Sequence, residues 1–100
     1  MEYRIEVIVE NKQIDSRLIS ADNPQAAMRK IFDTHVYSDV NMYVNILIIN
    51  IEGRFWVLSG HLKNNVLKAK PREPPKYLSL SETDLNTIMA GNVSLFEVLK

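Results

Sequence analysis

The sequence predicts a single α+β domain: a mostly antiparallel sheet of about five strands, in the order ββαββ(β)αα, with its helices packed on the sheet. Three observations carry that reading. Apolar and polar residues alternate with a period of two near the amino terminus, as a strand requires. The block from Met42 to Leu58 holds apolar residues on both parities, the pattern of strands covered on both sides. Two stretches, Asp22-Asn23-Pro24 and Ser81-Glu82-Thr83-Asp84, carry the signals that start helices.

Tyr3, Ile5, Val7 and Val9 alternate with Arg4, Glu6, Ile8 and Glu10, which predicts a half-buried first strand. A tight turn at Asn11-Lys12 then leads into a second strand, where Ile14, Ser16 and Leu18 alternate with Asp15 and Arg17. Asp22 or Asn23 caps a helix from Pro24 to about Thr34, whose inner face is Ala27, Met28, Ile31 and Phe32.

From Met42 to Ile51 the chain reads as a central strand, with Ile46 and Ile48 on one side and Leu47, Ile49 and Ile51 on the other. Glu52-Gly53 turns it back into a partner strand from Arg54 to Ser59, where Phe55 and Val57 oppose Trp56 and Leu58. Gly60 is placed to bend the chain. His61-Leu62-Lys63, the turn pair Asn64-Asn65 and Val66 to Lys70 then add a further strand.

The prolines at 71, 74 and 75 remove sheet donors and predict an extended connector over 71–75, crossing from the strands to carboxyl-terminal helices. Ser81 and Asp84 have capping-box spacing, with Leu80 and Leu85 placed as its hydrophobic staple and Gly91 as the closing residue. Ser94 and Glu97 repeat that spacing before a short last helix ending in Val98 and Leu99.

One hundred residues suit one core, so positions 1–100 form one domain. Twelve basic residues balance twelve acidic ones, which excludes a bulk field drawing the whole molecule onto nucleic acid or an anionic membrane. No cysteine is present, so disulfide and thiolate-metal frameworks are excluded and the cytoplasm is the expected compartment. The first residues lack the basic and then apolar pattern of a signal peptide, and the apolar run from Ile46 to Ile49 is far short of the roughly 20 residues a membrane helix needs. Frequent asparagine, isoleucine and lysine suggest an AT-rich bacterial, phage or mobile-element gene.

Catalytic apparatus is sparse. His35 and His61 have no ligand spacing between them, which predicts no metal site. A hydrolytic centre would need those two histidines to meet beside Lys63 or Lys68. Glycine occurs only at 53, 60 and 91, so neither a phosphate-cradling loop nor a dinucleotide fingerprint exists, and no cofactor is expected. Ser81 and Ser94 read as helix caps rather than nucleophiles.

Two surfaces remain as candidates. Lys63, Lys68, Lys70, Arg72 and Lys76 oppose Glu73 alone between positions 61 and 76, a basic ridge suited to a phosphate backbone or an acidic protein. Lysine also protects exposed sheet edges from pairing, which explains the same residues structurally. The second surface is apolar: if both longer helices lay on one face, the other would expose Trp56, Leu58, Ile46 or Ile48 as an interface. Helices divided between the faces would cover both. The sequence thus predicts a non-enzymatic protein-interaction module, a small inhibitor or adaptor or a homodimer, acting through Trp56 and Leu58 or through the basic edge. Nucleic-acid binding along Lys63 to Lys76 is the alternative.

Overall fold

The computed structural model describes residues 1–34, 37, 41–71 and 75–99, with 69–71 by their backbone. Strands β1 (Glu2–Val9) and β2 (Lys12–Ser20) form the first hairpin. Its turn is Glu10-Asn11, one residue earlier than the spacing predicts, and both residues have positive φ, at 51° and 62°. Two such residues make the turn whose twist matches that of paired strands.

Asn23 caps α1 (Pro24–Thr34): its Oδ1 accepts from the Ala26 amide at 2.8 Å. Strands β3 (Met42–Asn50), β4 (Arg54–Lys63) and β5 (Val66–Pro71) follow as an antiparallel meander. Asn64 and Asn65, with φ of 52° and 60°, close its second hairpin with the same kind of turn as the first. Gly60 does not break the chain, because β4 runs through it to Lys63.

The short β6 (Lys76–Tyr77) pairs with β4 at Phe55 and Arg54. The predicted connector over 71–75 thus differs at its first residue, which belongs to β5, and in leading to a further strand rather than directly to the helices; its residues 72–74 lie outside the described residues. Pro71 closes β5, and beyond residues 72–74 the chain returns to the same edge of β4 before leaving for α2 (Glu82–Met89) and α3 (Leu95–Leu99). Gly53 holds that return: it accepts from the Leu78 amide at 2.8 Å, and a Cβ there would come within 2.9 Å of the Leu78 oxygen.

The sheet order is β2-β1-β3-β4-β5, with β6 beside β4. This corrects the reading of β1 as half-buried: it lies between β2 and β3, and everything from Tyr3 to Val9 is buried. Odd and even positions of β1 therefore feed two separate cores.

On one face, Tyr3, Ile5, Val7, Val44, Ile46, Ile48, Leu58 and Leu62 pack under Ala27, Met28 and Ile31 of α1. On the other, Ile8, Leu47, Ile49 and Phe55 pack under Leu85, Ile88, Met89 and Leu95 of α2 and α3. The helices divide between the faces: α1 gives its apolar side to one core, and α2 and α3 give theirs to the other. Burial of each large aliphatic side chain stabilises the fold by roughly 1.5–3 kcal/mol before cavity effects.

Candidate functional site

Two charged residues of β1 tie the helices to the second face. Arg4 is buried and donates from Nε and Nη2 to the Met89 carbonyl at the end of α2, at 3.0 and 2.6 Å. Glu6, 1% exposed, accepts from the Ser94 hydroxyl at 2.9 Å, from the Leu95 amide at 2.7 Å and from the Phe96 amide at 2.9 Å. A cation thus meets a helix C-terminus and an anion a helix N-terminus, each with the sign the helix dipole favours. Burial lowers the Arg4 pKa, partly opposed by the charge of Glu6, and a guanidinium remains protonated regardless.

Between these anchors the chain turns at Gly91, whose φ is +82° and whose Cβ, if present, would lie 3.2 Å from the Arg4 guanidinium. The Gly91 amide bonds to the Ile88 oxygen and the Asn92 amide to the Thr87 oxygen, which closes α2. Ser81 opens it as predicted, accepting from the Asp84 amide at 3.1 Å. Ser94 behaves differently from a cap that accepts: its hydroxyl donates to Glu6, whose carboxylate receives the first α3 amides.

Tied at Arg4 and Glu6, and with α3 only five residues long, these helices leave the far end of the second face open. Directly opposed residues of antiparallel strands share a face. Tyr43 opposes His61, and His61 opposes Lys68, so the three form one row across β3, β4 and β5. Lys63 and Val66 form the next row. Tyr43 is 66% exposed, and Lys63, Lys68, His61 and Val66 are exposed with it. His61 Nε2 lies 2.7 Å from Asn41 Oδ1, which orients the ring. Neither Lys63 nor Lys68 makes an ion pair among the described residues.

Where the open rows meet α3 there is a cleft of about 270 Å³, walled by Ile8, Leu47, Val57, Phe96 and Leu99 and edged by Asn11 and Asn45. Asn45 accepts from the Ser59 hydroxyl at 2.6 Å, which fixes its amide. Asn45 and Tyr43 are two positions apart on one strand and so about 7 Å apart on the same face. The cleft and the basic row are therefore neighbours on one face.

The sequence candidates divide between the two faces. Leu58 is 1% exposed and Ile46 and Ile48 are fully buried under α1, so they form core rather than an open surface. Trp56 is half-buried on that face, edge-on to Tyr3 at 5.9 Å and 5.2 Å from the Arg54 guanidinium. Tyr77 opposes Arg54 and joins them. Lys76 opposes Phe55, which puts it on the second face about 20 Å along β4 from the Lys68 row. Lys70 holds the backbone position opposite Ser59, while its side chain, Arg72 and His35 lie outside the described residues. The pairing of His35 with His61 falls there too.

Tyr43 and the cleft residues are absent from the sequence candidates. Counting back from the Asn64-Asn65 turn places Lys68 across from His61, but a two-residue turn at Glu52-Gly53 would have put Tyr43 across from Leu62; the observed loop takes three residues, 51–53, which brings Tyr43 opposite His61.

The other polar cluster stabilises the edge of the sheet at β2. Asp15 accepts from the Tyr37 hydroxyl at 2.6 Å, from Arg17 Nε at 3.0 Å and from the Ser16 amide at 2.9 Å. Burial raises the Asp15 pKa, but these hydrogen bonds outweigh it and hold the carboxyl below its ordinary value. Burial and the same carboxylate raise the Tyr37 pKa. A bulge facing Val7 and Ile8 further distorts this edge against pairing.

No group of three or more His, Asp or Glu among the described residues is placed to hold a metal. No helix among them is long and apolar enough to cross a membrane. Comparison with known protein families, with characterised proteins and with solved structures finds no match.

Proposed function

We propose that this chain is a non-enzymatic, cytoplasmic interaction module that docks on an acidic region of another protein through the open end of its second sheet face. One observation carries the reading: α2 and α3 stop short, leaving Tyr43, His61, Lys63 and Lys68 exposed in adjacent rows of the sheet. An exposed tyrosine supplies contact area at low entropic cost, and lysines without an ion pair among the described residues give charge complementarity and a fast encounter. The burial of Leu58, Ile46 and Ile48 moves the proposed surface from the apolar face to this basic one.

The test is chemical cross-linking in source cells, with the joined peptides identified for the native chain and for a Tyr43→Ala, Lys68→Glu double variant. Cross-links from Lys63 to acidic segments of one protein, lost in the double variant while folding is unchanged, support the reading. Cross-links unaffected by the double variant remove it.

Nucleic-acid binding is the second reading, favoured by Tyr43 standing in the same row as Lys68. It predicts affinity for single strands that falls steeply with salt and on Tyr43→Ala. The row offers a single aromatic residue, whereas a single-strand platform uses several.

A further inference from the structure

Resting on that docking surface, we infer that the cleft beside α3 is the anchor site for one large apolar side chain of the partner, within an acidic segment that lies across Lys63 and Lys68. Its size suits such an occupant. At about 270 Å³ the cleft falls below the roughly 300–1,000 Å³ usual for whole small-molecule ligands, yet it has room for one aromatic or leucine side chain.

The lining agrees with that size. Ile8, Leu47, Val57, Phe96 and Leu99 give it apolar walls, while Asn11 and Asn45 at its edge can bond a peptide backbone. Charge complementarity supplies the flanks: the row about 7 Å away carries Lys68 with His61 and Tyr43, and Lys63 lies one row beyond. An apolar anchor in a pocket, surrounded by ion pairs that orient it, is the usual division between affinity and specificity at interfaces. A nucleic-acid strand would use the lysines but leave the aliphatic walls unfilled.

Fluorescence anisotropy with synthetic peptides tests this. The probes are a short peptide with one phenylalanine between acidic residues, the same peptide with alanine at that position, a third with lysines in place of the acidic residues, and an oligo-dT strand. The phenylalanine peptide is expected to bind about tenfold or more tightly than the alanine peptide, and the lysine peptide not at all. Leu99→Trp, at a half-exposed helix end, should fill the cleft and erase the phenylalanine preference. Lys68→Glu should weaken both acidic peptides alike.

Equal binding of the phenylalanine and alanine peptides, or a preference unchanged by Leu99→Trp in a variant with native melting, overturns the anchor site and leaves the basic docking surface standing. Acidic-peptide binding that ignores Lys68→Glu, or tighter binding of oligo-dT at the same salt, removes the docking surface itself. No binding by any acidic peptide at millimolar concentration overturns both.

Discussion

Beneath α1 the sheet is closed by apolar side chains, whereas beneath α2 and α3 a smaller apolar core is joined by Arg4 and Glu6 gripping two helix ends. Both arrangements bury β1, but they constrain different things. Apolar packing spreads its stabilisation over many contacts and covers its face broadly. The two charges fix two points: the end of α2 and the start of α3. Cover on the second face therefore extends only as far as those short helices reach, and the open rows of Tyr43, His61 and Lys68 follow from that.

The largest expected effect tests the closed face. Ile48→Ala removes a fully buried side chain among Ile5, Val7 and Ile31, and should cost about 2–5 kcal/mol of global stability. Urea unfolding measures it. A loss below about 1 kcal/mol would mean this core relaxes around the cavity, and the contrast between the faces would be weaker than the packing indicates.

Glu6→Ala tests the latched face. It leaves the Leu95 and Phe96 amides and the Ser94 hydroxyl without the carboxylate, at an expected cost of about 1–3 kcal/mol. Hydrogen exchange should quicken in α3 while α1 and the strands beneath it keep their protection. Uniform loss of protection would instead show that the two faces unfold as one unit.

The smallest effect concerns the β2 edge. In the folded chain the Asp15 carboxyl ionises at lower pH than in the unfolded chain, because three donors favour its charged form. Its contribution to stability is thus present above the ordinary carboxylate pKa and is lost as pH falls through the depressed folded value. Asp15→Asn should lower the melting temperature near neutrality, and the gap from the native chain should narrow on acidification. A gap that is constant with pH would assign the effect to packing alone.

Local grammar made much of the fold legible. Asn23 and Ser81 cap helices because their short side chains accept free amides, and the Asn64-Asn65 pair turns because asparagine tolerates positive φ. The role of Arg4 and Glu6 was not legible. As alternating charges they read as solvent-facing, and only the arrival of residues some 85 to 90 positions later buries them. The same distance hid the candidate site. Lys68 and His61 stand close in sequence, but Tyr43 joins them through strand register, and Phe96 and Leu99 reach the cleft from the far end of the chain.

By itself, the sequence determined the α+β class, the succession of elements apart from the short β6, and the absence of cysteine chemistry, because hydrophobic period, caps and turns act over a few residues. Tertiary structure decided that β1 is central, that the helices divide between the faces, and that one end of one face stays open. Those outcomes depend on which distant surfaces are buried together, and on two charges whose partners exist only once the chain has closed on itself.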